Sequence, residues 1–201
     1  FVRIEEREKS PEPTGKWREM KVGCWYQAEK VPRSQKGKRD QDKAKIGHQA
    51  LRAKDIQYYC QLDTVEQFEP LFWGTSCRAK ADLAQEVVFI CDGAKWIWKV
   101  VETHYLHALQ IVDWYHAEER LEKVADDVFD KPGQASAWLE QGKEALWYGR
   151  TDYVISACQR FSQRSEKARQ ATTYFRNNAH RIHYDRYREQ GYLIGSGTVE
   201  S

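Results

Sequence analysis

Two short apolar runs, each followed by an aspartate, most constrain how this chain can fold. Residues 87–91 form a continuous run of β-forming residues that leads to Asp92, and residues 109–112 form a second run that leads to Asp113. The first run is continuously apolar, which is typical of a strand that is covered on both faces. The second, apolar except for Gln110, predicts another short buried strand. Residues 96–101 between them carry apolar side chains at helical spacing. We therefore expect two strands of one sheet, with their carboxyl ends side by side.

Three further strands are expected before these runs. Residues 17–26 alternate with a period of two, which predicts a half-buried strand, and Val2 and Ile4 look like the tail of an earlier one. Residues 56–62 predict the third. Thr64 begins a capping-box pattern, so a helix should follow, with a break or kink at Pro70.

The chain after His116 has helical periodicity almost throughout. Apolar residues recur at helical spacing over 121–128, 138–145, 154–161 and 168–182, and the last of these stretches predicts one long helix that ends at Gly191. Pro132, Gly133 and Gly149 are expected to separate the earlier helices. The order of elements, three strands followed by alternating helices and strands, is that of a ribonuclease H-like sheet with extra helices before the last one.

Composition excludes several classes of protein. Of the 201 residues, 41% are hydrophobic and 31% are charged, which is typical of a globular chain rather than a disordered one. No apolar run approaches the roughly 18 residues of a membrane span, and no signal peptide is evident. The five cysteines are an odd number without a C-x-x-C pair, so reduced thiols in a cytoplasmic protein are expected. The abrupt start and end predict a fragment.

Asp92 and Glu200 are the carboxylates with the most suggestive positions. Asp92 follows a buried strand, at the edge of an α/β sheet where ligands bind, although an ordinary helix N-cap would have the same position. Glu200 follows Gly195-Ser196-Gly197, a turn that could deliver it to a fixed place. The alternative is a glutamate favoured at the start of a helix by the dipole.

Asp113 and His116 are three residues apart at the end of the second apolar run. Such a pair could orient a carboxylate, hold a phosphate or position a water molecule, although a lone histidine is more often a satisfied structural group. The other histidine pairs, at 104/107 and 180/183, lack an acid or cysteine to complete a ligand set, so we interpret them as solvated.

Positive charge is concentrated between Glu29 and Lys54, a segment that contains nine Lys or Arg residues and three acidic residues. This gives a local charge of +6 in a chain whose net charge is +2, so the remainder carries about −4. The segment 30–45 has no periodicity and predicts a loop. The concentration of positive charge is consistent with a loop that contacts phosphates, and the alternative is a mobile solvated loop without a partner. The candidate DNA-binding residues are Lys36, Lys38, Arg39, Lys43 and Lys45.

Five segments together resemble a known family. Residues 17–23, 88–98, 110–117 and 191–201, and the set Tyr174, Phe175, Asn177 and Arg181, look like insertion-sequence transposases of the ISKra type, which are similar to Mutator-like DDE transposases. The segments occur in the family's order, and the resemblance covers essentially the whole chain.

The resemblance implies an α/β fold with a ribonuclease H-like mixed sheet and an all-helical insertion. It implies a core over residues 1–116, an insertion over 117–190 and the start of the final core helix over 191–201. Asp92 would be the second catalytic aspartate and Glu200 the terminal glutamate. Asp113 and His116 would be the accessory D-x-x-H pair. The family's first aspartate would precede Phe1, so the fragment alone is expected to be inactive.

The resemblance also implies the partners and the chemistry. Three carboxylates would hold two Mg²⁺ (or Mn²⁺) ions for phosphodiester cleavage and strand transfer. The partner would be double-stranded DNA, as transposon ends and target, with a homo-oligomer in the full-length protein and no membrane. Alternatives are a non-catalytic nucleic-acid-binding remnant and a ribonuclease H-like nuclease. A glycosidase with paired carboxylates is disfavoured by the basic loop and the D-x-x-H motif.

Overall fold

The computed structural model describes residues 2–4, 16–18, 20–32, 49–62 and 64–195, which have a mixed α/β secondary structure. The strands are β1 (Val2–Ile4), β2 (Lys16–Arg18), β3 (Lys21–Pro32), β4 (Gln49–Gln61), β5 (Val88–Cys91) and β6 (Leu109–Val112). The α-helices are α1 (Val65–Arg78), α2 (Lys95–His104), α3 (Trp114–Val128), α4 (Pro132–Trp147), α5 (Thr151–Gln159), α6 (Glu166–Asn178) and α7 (Tyr184–Glu189). Two short 3₁₀ helices occupy Ala81–Leu83 and Ala179–Arg181.

The described strands form three separate pairs. β1 pairs antiparallel with β2, β3 pairs with β4, and β5 pairs in parallel with β6. The α/β class expected from the sequence is therefore present, whereas these strands do not form the single mixed sheet of the expectation.

Strands β3 and β4 are longer than the sequence pattern predicts. The strand expected over residues 17–26 is interrupted after β2, and β3 then continues to Pro32, so the expected loop does not begin at Lys30. β4 begins at Gln49, seven residues before the expected start at Ile56. Residues 27–29 and most of 52–58 are exposed. Residues 27–29 and most of 52–58 thus lack a buried face, so they show no apolar alternation that would predict a strand.

The chain divides into two compact units, which we describe separately. The described part of the first includes residues 20–29, 53–62 and 64–85. Its core centres on Trp25, whose ring lies 5.3 Å from that of Phe72 and whose indole nitrogen donates a 3.1 Å hydrogen bond to Thr75.

Helix α1 differs from the expectation at both of its predicted features. Thr64 occupies the N-cap, but its side chain makes no capping hydrogen bond, so the capping box is not formed. The helix also runs without a break through Pro70. Proline removes one main-chain hydrogen bond, and the buried rings of Phe68 and Phe72 on the same helix stabilise the segment against that loss.

The second unit contains the β5–β6 pair and helices α2 to α7. Ile111 and Val112 of β6 are completely buried, as are Leu121 of α3 and Phe175 of α6. The long helix expected over residues 168–182 is instead α6, a 3₁₀ turn and, after a break, α7. The apolar periodicity continues across the break because both sides pack into the core: Ile182 and Tyr184 are completely buried too.

No helix within the described ranges is long and apolar enough to cross a membrane. All five cysteines lie in those ranges, and none is in a disulfide.

Candidate functional site

Asp92 and Asp113 follow adjacent parallel strands, as predicted from the two apolar runs. Cys91 is the register partner of Val112, so both strands end at the same edge. The main-chain amide of Asp113 donates a 2.8 Å hydrogen bond to the carbonyl of Cys91. The prediction that the two strand ends lie side by side is confirmed.

The Asp92 carboxylate uses one of its oxygens to hold a turn. Its Oδ1 accepts a 2.8 Å hydrogen bond from the amide of Ala94, and Ala94 itself is the N-cap of α2. Asp92 is therefore not the helix N-cap that was the alternative interpretation. Among the described residues, none donates a hydrogen bond to Oδ2, so this oxygen has no protein partner there.

Asp113 is completely buried and caps the start of α3. Its Oδ1 accepts hydrogen bonds from the amides of Tyr115 at 2.7 Å and His116 at 3.1 Å. The two residues of the D-x-x-H motif are thus linked by a hydrogen bond from the main-chain amide of His116, and not by one from its imidazole ring. The imidazole Nδ1 instead lies 3.6 Å from Glu119, whose pKa is lowered by its hydrogen bond to Lys123 and by His116.

Cys91 directly precedes Asp92 and is the register partner of Val112, which precedes Asp113. Burial raises the pKa of the Cys91 thiol well above the ordinary value, and the charges of Asp92 and Asp113 raise it further. The thiol therefore stays protonated at neutral pH and is unsuited to act as a nucleophile.

Helix α6, which is distant in sequence, forms a hydrogen bond to the turn at Asp92. The Tyr174 hydroxyl donates a 2.9 Å hydrogen bond to the main-chain carbonyl of Asp92. Gly93 has φ +87°, and a Cβ there would lie 2.7 Å from the Tyr174 ring. The glycine therefore leaves room for the tyrosine beside the carboxylate, which no periodicity in the sequence could have revealed.

Asn178 ties the same turn to α2. Its side-chain nitrogen donates to the carbonyls of Gly93 at 3.3 Å and Tyr174 at 3.1 Å, while its oxygen accepts a 2.9 Å hydrogen bond from the indole of Trp98. The family-like set of residues includes Asn177, which is exposed; the buried, hydrogen-bonded residue is its neighbour Asn178. Both asparagines fit a helix sequence equally well, and only burial distinguishes them.

Residues just beyond α6 hold β6 in the same manner. The Tyr184 hydroxyl donates a 3.0 Å hydrogen bond to the carbonyl of Val112. Arg181 donates to Gln110 at 2.6 Å and to Glu102 at 2.7 Å. Both strand ends are therefore fixed by side chains from the helices that follow them in sequence. Arg181 belongs to one of the family-like segments, whereas Tyr184 belongs to none, and its only signal in the sequence is its place near the apolar stripe.

The segment that leads to Glu200 lies against the start of α3. The Trp114 amide donates a 2.8 Å hydrogen bond to the carbonyl of Ile194. A Cβ on Gly195 would come within 2.9 Å of the Tyr115 ring, so the glycine permits close contact there. Glu200 itself lies outside the described residues, as do Lys36, Lys38, Arg39, Lys43 and Lys45.

The carboxylate oxygens at this edge could supply part of the ligand set of a hard divalent cation. Carboxylate oxygen is the ligand that Mg²⁺ prefers, and Asp92 Oδ2 is such an oxygen without a protein donor. Within the described ranges, however, no three His, Cys, Asp or Glu side chains form a group that could hold a metal ion. A complete site would need a ligand from elsewhere in the chain.

Comparison with known proteins gives no relative: no protein-family model, no curated protein and no solved structure matches the chain significantly.

Proposed function

We propose that this chain is part of the catalytic core of a DDE transposase of the ISKra type, with a ribonuclease H-like fold. The observation that carries the proposal is the pairing of Asp92 and Asp113 at adjacent parallel strand ends. This is the edge at which α/β sheets bind ligands. The family resemblance gives both residues a role there, Asp92 as a catalytic carboxylate and Asp113 as an accessory residue.

The course of the chain after α7 supports a role for Glu200 at the same edge. Ile194 is bonded to Trp114, the residue that directly follows Asp113. Glu200 is five residues beyond Gly195. An extended chain spans at most about 3.6 Å per residue, so the Cα atoms of Gly195 and Glu200 are at most about 18 Å apart. The helices between Asp92 and Ile194 thus leave the strand ends, and the hydrogen bond of Ile194 to Trp114 brings the chain back to them.

Asp92 and Glu200 would hold Mg²⁺ (or Mn²⁺). The bound ions would activate the attacking oxygen and stabilise the leaving one in phosphodiester cleavage and strand transfer. The other residues fix geometry. Asp113 caps α3, and Tyr174 and Asn178 hold the Asp92 turn, so that the carboxylate is held rigidly.

Double-stranded DNA is the partner we propose, with a homo-oligomer in the full-length protein. Lys36, Lys38, Arg39, Lys43 and Lys45 would contact backbone phosphates without reading sequence, because phosphate contacts position a protein but do not specify bases.

The test is a metal-dependent strand-transfer assay on the full-length protein with its terminal DNA. A transposase cleaves at the transposon end and joins the 3′-hydroxyl to target DNA. Cleavage without joining would instead identify a ribonuclease H-like nuclease. Binding without cleavage would identify a nucleic-acid-binding remnant. Either of these two results would overturn the proposal.

A further inference from the structure

Arg120 lies on the aromatic ring that contacts the Asp92 turn. Its guanidinium carbon is 5.0 Å from the centre of the Tyr174 ring, within the range of a cation–π interaction. The hydroxyl of that same tyrosine bonds to the Asp92 carbonyl. Arg120 is one helical turn after His116 on α3, so both side chains project from the same face of this helix. The ring thus holds a positive charge close to the Asp92 strand end.

This guanidinium has no anionic partner among the described residues. No carboxylate lies within 4.0 Å of it, and no hydrogen bond to it is formed within those ranges. The other arginines near the strand ends differ. Arg181 is engaged by Glu102 and Gln110, and Arg188 donates to the carbonyls of Trp147 and Tyr184. Arg120 therefore keeps its planar set of donors available for a ligand.

The main chain at this end of α3 offers no competing anion site. The amides of Tyr115 and His116 are bonded to the Asp113 carboxylate, and that of Ala117 to the Asp113 carbonyl. The Trp114 amide is bonded to Ile194. With all four amides occupied, an anion that approaches here must be bound by side chains.

We propose that Arg120 is a phosphate-binding residue of this site, holding a backbone phosphate of the DNA strand beside the Asp92 strand end. A guanidinium presents paired N–H donors that match two phosphate oxygens, and stacking on Tyr174 orients it before the ligand arrives. This inference rests on the proposed function, because it takes DNA as the ligand. It adds Arg120 as the residue that would bind the DNA strand next to the catalytic carboxylates.

The experiment measures DNA affinity against salt concentration for the full-length protein, using fluorescence anisotropy with a duplex that carries the terminal sequence. The variants are Arg120→Gln, Arg120→Lys and a matched control, Arg164→Gln. Arg164 also stacks on a ring, that of Phe161 at 4.8 Å, and it has no ion pair among the described residues. Its neighbour Ser165 bonds to Asp127 near the far end of α3, about 20 Å along the helix axis from Asp113.

Each phosphate contact contributes about 0.9 to the slope of log affinity against log salt. We expect Arg120→Gln to reduce the slope by about 0.9, and Arg120→Lys and Arg164→Gln to leave it unchanged. A wild-type slope in Arg120→Gln, or an equal reduction in Arg164→Gln, would overturn this proposal while leaving the proposed function intact. Wild-type protein without salt-dependent DNA binding would overturn both. If Arg120→Gln fails to fold, Arg120→Met supplies the neutral variant, and the same criteria apply to it.

Discussion

The Tyr174 hydroxyl donates a 2.9 Å hydrogen bond to the main-chain carbonyl of Asp92, a residue 82 positions earlier in the sequence. The bond joins helix α6 to the turn that carries the candidate catalytic carboxylate. Helices α2 to α5 lie between the two residues in sequence, so the chain leaves this strand end and comes back to it. The position of Asp92 therefore depends on helices that a local reading of the sequence would assign to a separate insertion.

Gly93→Ala should destabilise the fold by about 2–4 kcal/mol. The φ of +87° is unfavourable for alanine, and the added Cβ would lie 2.7 Å from the Tyr174 ring. The measurement is the free energy of unfolding in denaturant. Gly133→Ala is the control: it lies in the first turn of α4 with nothing within 4 Å of the new Cβ, and it should be neutral or slightly stabilising. Equal stabilities in the two variants would contradict the close packing at Gly93.

Asn178→Ala should cost about 2–4 kcal/mol, whereas Asn177→Ala should change stability by less than about 0.5 kcal/mol. Asn178 is 3% exposed, and its loss leaves the Trp98 indole and the Gly93 carbonyl without their partner. Asn177 is exposed on the same helix, so the two variants share helix propensity and differ only in burial. Thermal and denaturant unfolding measure both. A larger loss of stability in Asn177→Ala than in Asn178→Ala would contradict the structural role of Asn178.

The sequence predicted the strand ends but not what holds them. Residues 88–91 are apolar without alternation, residues 109–112 are apolar except for Gln110, and these two runs alone predicted that Asp92 and Asp113 lie together. Tyr174, Asn178 and Tyr184 act through hydrogen bonds to main-chain carbonyls more than 70 residues away. Every residue has a main-chain carbonyl, so the sequence gives no pattern that identifies which carbonyl accepts the hydrogen bond.

The additional residues of β3 and β4 were not predicted, because their exposed side chains show no apolar alternation.

Stability should fall as pH rises above about 10. Burial raises the pKa of both Tyr174 and Tyr184 above the ordinary tyrosine value of about 10. The folded state thus favours the protonated phenols: their contribution is complete below pH 10 and is lost as pH rises towards the folded-state values. The free energy of unfolding, measured from pH 7 to 11, should fall less steeply above pH 10 in Tyr174→Phe/Tyr184→Phe. If the free energy of unfolding of this double variant fell with pH as steeply as that of the wild type, the pH dependence could not be attributed to Tyr174 and Tyr184.

Neutralising Lys36, Lys38 and Arg39 in the full-length protein should weaken DNA binding equally for terminal and unrelated sequences. Each lost phosphate contact reduces the salt dependence, so the slope should flatten by up to about three units. Affinity measured over a series of salt concentrations tests this. A slope equal to that of the wild type would indicate that the basic segment is a solvated loop.

The central claim is that Asp92 and Glu200 act in one site, and strand cleavage by Asp92→Asn and Glu200→Gln in the full-length protein tests it most directly. Asparagine keeps the Oδ1 acceptor for Ala94, so the turn should persist while a cation ligand is lost. Asp152→Asn, at an exposed position on α5, is the matched control. A bound cation contributes several kcal/mol to such chemistry, so each variant should lose about 10³-fold in cleavage rate and keep most of its DNA affinity. Wild-type cleavage in either variant would contradict the account.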